Sequence, residues 1–346
     1  MLFLIICCLV LNQKLLESIF IMKKIILLLL FVLSFQWVLG QDLKLATFNC
    51  EFLLKKKVHM KYGLPYDMKY AKGNAKQEWQ DDRFRQKKFE EATQKVAAHL
   101  KTINADVLGL TEVGNTSEVK LLVDELKKQG LEYKYWKVCK SDDTGTGQHV
   151  AFLSKYELTD VIPSFPNRGL YFVESDQDEI DETGISKGMK ATINFNGAPM
   201  HLFLFHLKSE RGGEDSDQRR LMQAEIARRV MIPYLQKEEH VVVMGDLNSE
   251  KRHPALLTIR GFKDIEAELV QTGDTYYFED YATRWTYNYK GQQEQIDHIL
   301  LSLSLKNACK GNNPKQRQWG IKTSILQTNN EAISDHNALM VTLSFK

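Results

Sequence analysis

Short apolar runs of strand length recur along this chain. Nearly every one begins or ends on a side chain that can bind a cation or carry a proton. The sharpest is "VVVMGDLNSE" (241–250), where three valines and a methionine run into Gly245, then Asp246 and Asn248. Such runs are bounded by turn residues and are too short for buried helices, so they read as strands. "LKLATFNC" (43–50) closes on Asn49, "ADVLGLTEV" (105–113) reaches Glu112, and "HLFLFHLKS" (201–209) reaches His206 and Lys208. "QIDHILLS" (295–302) carries Asp297 at its entrance, and "ISDHNALMV" (333–341) carries Asp335 and His336 just before its apolar run.

Helical patterns lie between them. "DDRFRQKKFEEATQKVAAHLKTIN" (81–104) sets Phe84, Phe89, Val96 and Leu100 near helical spacing, and its two leading aspartates suit a helix N-terminus. A second amphipathic helix is predicted over 216–235 with Ser216 as its cap, and a short one from Ser117 to about Lys128, stopped at Gly130. Further strands are expected near 133–139, 149–154, 188–195 and 200–206. Residues 55–80 are lysine-rich and broken by Gly63, Pro65 and Gly73, which predicts a surface loop. Strands alternating with helices, then neighbouring strands, predict an α/β layered fold with helices outside the sheets. With no repeat and no linker, one domain over 41–346 is the simplest organisation.

The first forty residues differ. From Met22, "MKKIILLLLFVLSFQWVLG" joins two lysines, a long apolar core and Gly40, the grammar of a secretory signal peptide. Its apolar run is short for a membrane span and contains Ser34 and Gln36; a retained anchor is the competing reading. We expect 1–40 to be a signal peptide with the true start at Met22. The mature chain then begins near Gln41 and is secreted or periplasmic, with no stable membrane insertion. Losing Lys14, Lys23, Lys24 and Glu17 with it brings the basic and acidic counts level. No global positive field then gathers a polyanion, so a metal ion or a local cluster must do so. Of the five cysteines Cys50, Cys139 and Cys309 remain, which form neither a disulfide framework nor a zinc motif; one disulfide and buried free thiols both fit. "NTS" at Asn115 fits a glycosylation sequon.

Taken singly, an aspartate at a strand end is ordinarily a turn residue, and a lone histidine ordinarily a structural hydrogen-bonder. Taken together the groups have a chemistry. Active sites of α/β folds form where strand ends converge. Carboxylates and carboxamides suit a hard divalent cation such as Mg²⁺ or Mn²⁺. A cation beside two histidines suits attack of water on a phosphoester.

In this order, "FN" (48–49), "TEV" (111–113), "HLKS" (206–209), "GDLN" (245–248), "IDHILLS" (296–302) and "SDH" (334–336) resemble the endonuclease/exonuclease/phosphatase superfamily, with its deoxyribonuclease I-like fold. The resemblance implies a four-layer α/β/β/α sandwich of two face-to-face mixed sheets with helices outside. It implies Glu112 as principal metal ligand, with Asn49 and Asp335 close to the ion. Asp246 and Asn248 would orient or activate water and contact the phosphate, both facing it from one side of an extended segment. Asp297 would fix the tautomer of His336, and His206 would be the second histidine at the phosphate. The segment after His206, with its "RRxxQA"-type helix, is similar to a secreted bacterial nuclease-like branch. There Lys208, Arg211, Arg219 and Arg220 would bind phosphates, Lys208 foremost; a solvated helix face is the alternative. Thr111 stands where the family commonly has Gln, and His149 replaces a glycine. Glu51 is a weaker acidic candidate, with surface solvation the plainer reading.

The expected function is a secreted phosphodiesterase requiring Mg²⁺ or Mn²⁺, foremost a nuclease on DNA or RNA, monomeric and without a protein partner. A phosphatase or lipid phosphodiesterase, of inositol phosphate or sphingomyelin type, is the alternative. A non-enzymatic binding module ranks third, because the whole ligand and base set is present. A nuclease should carry a local basic groove with aromatics; Lys55–Lys57, Arg83–Lys88 and Tyr281 to Tyr289 around Trp285 are the candidates. A lipid enzyme should show exposed apolar loops.

Overall fold

The computed structural model describes residues 22–24, 42–173, 176–261, 269–273, 278, 283–309, 320–328 and 333–345. Apart from Met22–Lys24, the expected signal peptide lies outside the described residues, as does Tyr281. Among the described residues no helix is long and apolar enough to cross a membrane.

The strands are, in chain order, β1 (Asp42–Leu53), β2 (Val107–Val113), β3 (Tyr135–Val138) and β4 (His149–Ser154). Next come β5 (Thr159–Ile162), β6 (Arg168–Val173), β7 (Asp176–Gly184), β8 (Gly188–Phe195) and β9 (Ala198–Phe205). Then follow β10 (His240–Asp246), β11 (Leu269–Gln271), β12 (Tyr287–Tyr289) and β13 (Gln292–Glu294). The last are β14 (Asp297–Ser302), β15 (Ile321–Leu326) and β16 (Ala338–Ser344). Two six-stranded sheets result, ordered β15-β16-β1-β2-β4-β3 and β11-β14-β10-β9-β8-β5. Each holds one parallel pair, β1 with β2 and β9 with β10, among antiparallel neighbours, so both sheets are mixed.

Side chains alternate between two cores, as strand geometry requires. Leu43 and Leu45 of β1 and Val242 and Met244 of β10 face each other between the sheets, with Phe152, Leu202, Leu204 and Val341. Phe48 of the same β1 turns outward onto Phe89, Val96 and Leu100 of α1 (Asp82–Ile103) and Leu122 of α2 (Thr116–Lys128). Val241 and Val243 of β10 turn onto Ala227 and Met231 of α3 (Gly213–Leu235) and Ile259 of α4 (Pro254–Arg260). The order is helix, sheet, sheet, helix: the four-layer sandwich.

Local signals explain most helix ends. Asp81 caps α1 by accepting from the backbone N–H groups of Arg83 and Phe84. Asn115 rather than Ser117 caps α2, through a capping box with Glu118, so the sequon asparagine already serves a structural bond. α3 begins at Gly213, three residues before the expected cap, because the Ser216 hydroxyl bonds back to the Arg211 carbonyl from inside the helix. Residues 55–80 are not a plain surface loop. The first of two 3₁₀ turns there buries Val58, His59 and Lys61, and Trp79 is buried beyond them.

Gly245 is the tightest backbone approach near the functional end. Its φ is +129°, and a Cβ there would lie 2.0 Å from the Phe205 carbonyl oxygen. A backbone atom of a central strand cannot step aside. Gly245→Ala is expected to cost more than about 3 kcal/mol, read as a lower urea midpoint at unchanged slope.

Candidate active site

The topology decides which strand ends meet. β1 and β2 are parallel, so Asn49 and Glu112 leave the first sheet at the same edge. β9 and β10 are parallel, so His206 and Asp246 leave the second sheet together. β14 runs against β10 with Asp297 opposite Asp246, and β16 runs against β1, which sets Asp335 and His336 just before its start at that same edge. The two edges lie over one another and frame a cleft of about 970 Å³.

Hydrogen bonds join the halves. The Asn49 amide donates to Asp246 Oδ2 at 2.9 Å, and His336 Nδ1 meets Asp297 Oδ2 at 2.7 Å. His206 Nε2 lies 3.8 Å from both Asp246 Oδ2 and Glu112 Oε1. His336 Nε2 lies 3.8 Å from Asp335 Oδ1. Two trios could each hold a cation, Glu112–His206–Asp246 and Asp246–Asp297–His336, their donor atoms within 4.8 Å of one another.

Unusual backbone sets these groups. Glu51, Phe52, Glu112 and Asn248 all have positive φ, between 43° and 54°. Non-glycine residues adopt that region at a cost of about 1 kcal/mol or more each, and such strain gathers at functional sites. β1 breaks register with β2 between Asn49 and Leu53. The break lets the Phe52 N–H donate to Glu112 Oε2 at 3.0 Å, which fixes the carboxylate. Asp246 and Asn248 are not arranged by strand alternation, as the sequence alone implied. Asn248 is left-handed, its N–H donates to Asp246 Oδ1 at 2.9 Å, and its amide donates to the Leu207 carbonyl. An Asx turn brings the pair together.

Burial dominates the electrostatics. It raises the Glu112 carboxyl above its ordinary range, with Asp335 adding to the effect. Burial and the neighbouring Asp297 push Asp246 up to about 7, and burial with Asp335 pushes Glu51 up to about 8. Burial also disfavours the charged form of His336, but Asp297, Asp335 and Asp246 outweigh it and raise its pKa to about 10. His206 falls well below the usual histidine value through burial, Lys187 and His336. The two histidines are thus shifted in opposite directions, His336 towards its charged form and His206 towards its neutral one. The carboxylates crowd beyond what the local cations offset, and Glu51 Oε2 is buried without a hydrogen-bond partner. A donor set of that kind fits a hard divalent cation.

Glu112, His206, Asp246, Asn248, Asp335, His336 and Lys208 line the cleft; Asn49 and Asp297 stand behind the lining. The Asn49 side chain is engaged at both ends of its amide, since Oδ1 also accepts the Glu51 N–H at 2.9 Å. Glu51, the weaker acidic candidate for which surface solvation was the plainer reading, lines the cleft, because the left-handed bend after Asn49 turns it inward. Arg220 is fully buried against Asp217 and the Lys208 carbonyl, away from the cleft. The expected basic groove at 55–57 and 83–88 does not line it either: Lys55 and Arg85 pair with Asp82, and Lys88 with Glu91. His149 bonds to the Gly147 carbonyl outside the lining. Cys50, Cys139 and Cys309 are free and buried.

Sequence reasoning missed Lys61, Lys187 and the particular roles of Tyr287 and Tyr289. Lys61 is buried and donates to the carbonyls of Cys50, Glu51 and Ile333, bracing the β1 bend against the loop that carries Asp335. Nothing in a lysine-rich stretch marks one lysine as internal. Lys187 lines the cleft from the turn before β8, within a segment whose sequence gave no strand signal. Tyr287 packs on His336 with ring centroids 4.7 Å apart; the alternation in "WTYNY" was the available signal.

Two face-to-face mixed sheets with carboxylates and histidines gathered at one edge define a metal-dependent phosphoester hydrolase. The chain belongs to the Endonuclease/Exonuclease/phosphatase family, whose sequence profile it matches over residues 45–321. Solved structures share the fold. A beta toxin mutant from Staphylococcus aureus with bound magnesium ions is 17% identical, with a TM-score of 0.54 over 87% of this chain and 99% of that one. An endonuclease/exonuclease/phosphatase family protein from Leptotrichia buccalis is 13% identical, with a TM-score of 0.52 over 88% of this chain and 100% of that one. No curated protein sequence matches the chain.

Proposed function

We propose that this chain is a secreted phosphodiesterase that uses Mg²⁺, or Mn²⁺ in its place, to cleave nucleic acid. One observation carries the reading: two histidines, one of them paired with a buried aspartate, and the buried Asp246 surround one point of the cleft, with ring faces at its lip. A divalent cation held by Glu112, with Glu51 and Asp335 beside it and Asn49 behind, would supply Lewis-acid stabilisation of phosphoryl charge. Asp246, fixed by Asn49 and the Asn248 N–H, takes the proton of the attacking water. His336, oriented through Nδ1 by Asp297, donates from Nε2 to a phosphoryl oxygen as charge builds there, while the ester P–O bond opposite the water breaks and its oxygen leaves to take a proton from solvent. His206 and the Asn248 amide complete the phosphate's surroundings, and Lys208 stands next along the chain from His206.

Nucleic acid is favoured by Tyr287 and Tyr289, whose rings are parallel within 8° and continue from His336 to the exposed rim. Stacking on aromatic faces is how bases are held without sequence preference. A second reading rests on the β6–β7 hairpin, where exposed Phe172 stands opposite exposed Ile180, with Leu170 nearby. Such a patch favours a lipid phosphodiesterase.

Cleavage of plasmid DNA by the mature chain with Mg²⁺, abolished by EDTA, is the expected result. Inactivity on DNA and RNA with turnover of sphingomyelin would transfer the assignment to the lipid reading. Secreted material whose N-terminus lies upstream of Met22 would overturn the processing expectation.

A further inference from the structure

The cleft has two walls of opposite sign. The acidic wall is the one described above. On the other stand Lys208, Arg211 and Arg219, with Lys187 between the two. Lys187 is offset by Asp143 at 3.4 Å. The other three are not: among the described residues, no carboxylate lies in ion-pair range of Lys208, Arg211 or Arg219. Lys208 Nζ donates to the Arg211 carbonyl at 3.1 Å, and Arg219 Nε donates to the Thr183 hydroxyl at 3.0 Å. The Arg211 guanidinium stands close enough to Tyr287 for its charge to oppose the rise that burial gives the tyrosine's pKa. The carboxylates that act on them at longer range have partners of their own: Asp143 pairs with Lys187, and Asp181 accepts from the Tyr171 hydroxyl. Buried Arg220 holds Asp217, and Glu210 at 3.8 Å.

We propose that Lys208, Arg211 and Arg219 form a second-phosphate subsite. It binds the phosphate next to the one cleaved, while the nucleoside between them rests on Tyr287 and Tyr289. The inference rests on the phosphodiesterase reading above and narrows its substrate to chains carrying at least two phosphates.

Three further features support it. The subsite is braced from behind: the Lys208 N–H donates to Gln223 Oε1 at 2.8 Å, and Arg220 donates to the Lys208 carbonyl at 3.0 Å. Both partners come from α3, so the lysine backbone is held by a rigid element. The subsite also adjoins the chemistry, because Arg211 lines the same cleft as Tyr287, the tyrosine that packs on His336. Finally, burial and the like charges of Arg219, Lys187 and Arg220 lower the Lys208 pKa against a smaller opposing effect of Asp143, as expected where cations converge. A choline headgroup, itself a cation, gains nothing from such a wall. An anion does, through charge-assisted hydrogen bonds that guanidinium groups make to phosphate.

The test compares kcat/KM of the mature protein with Mg²⁺ on three substrates. They are bis(p-nitrophenyl) phosphate, thymidylyl-thymidine, and the same dinucleotide carrying one terminal phosphate, at either end. The terminal phosphate is expected to raise kcat/KM of the dinucleotide by roughly 10- to 100-fold, on the scale of one or two charge-assisted contacts. In Arg211→Gln/Arg219→Gln that ratio should fall to near one, whatever the variant's rate on the unmodified dinucleotide. A ratio near one in the unaltered protein, or a ratio unchanged in the variant, overturns the subsite while hydrolysis of the simple diesters leaves the phosphodiesterase reading standing. Failure to turn over any of the three fells the underlying reading and the subsite with it.

Discussion

His336→Ala lowers kcat on a phosphodiester by about 10³- to 10⁴-fold, the span expected for removing a hydrogen-bond donor aimed at developing charge together with its proton. The same change leaves Asp297, which is fully buried, without its partner. An uncompensated buried carboxylate costs about 3–5 kcal/mol, so the single variant also loses stability. Asp297→Asn/His336→Gln separates the two effects. It removes both charges, recovers most of the stability in urea, and stays inactive. Recovery of activity with recovery of fold would sink the catalytic assignment. The pH dependence has a definite sign. The His336 pKa is raised to about 10 in the folded protein, so its ion pair stabilises fully below the ordinary histidine value. That contribution is lost as pH rises through the folded value, and the stability gap between the parent and His336→Ala narrows above it.

Glu112→Gln has the opposite signature. It abolishes measurable turnover, a loss of at least about 10³-fold, yet makes the metal-free protein more stable at pH 8. Burial raises the Glu112 pKa, so folding favours its protonated form. The penalty for ionising it in the fold is absent at low pH, grows as pH climbs past the ordinary carboxylate value, and is complete above the folded one. A neutral amide never incurs that penalty, and the melting temperature of the metal-free protein should rise by a few degrees. Mg²⁺ stabilises the parent by mass action and should do little for the variant. Equal Mg²⁺ stabilisation in the two proteins would remove Glu112 from the cation site.

What the sequence disclosed follows from what each signal depends on. Strand-end residues were legible because β2, β9, β10 and β14 are buried along most of their length and read as apolar runs, while β1 and β16 keep apolar residues at alternate positions. Their polar termini then stand out. The fold class followed from the alternation with α1, α2 and α3. The β6–β7 hairpin was not legible, because "DQDEIDETG" is a strand by pairing with β6 and not by composition. Glu51 and Asn248 were misplaced for one reason: extended geometry was assumed where the backbone is left-handed, and no periodicity reports a single residue's φ. The basic wall was visible as residues but not as a wall. Only the packing of Asp217 against Arg220 shows which cations are left over.

The central strand β16 carries a consequence for synthesis. It joins β15 to β1 and sets His336 against Asp297, and it comes after every other strand in the described chain. A growing polypeptide can complete the second sheet with His206, Asp246 and Asp297 in place, while the first sheet still lacks the strand between β15 and β1. Such a chain has a half-built cleft without His336. On the proposed mechanism, hydrolytic capacity waits until the segment around residues 334–344 has been made and has folded back. A ribosome translating this message carries an inert product until that moment.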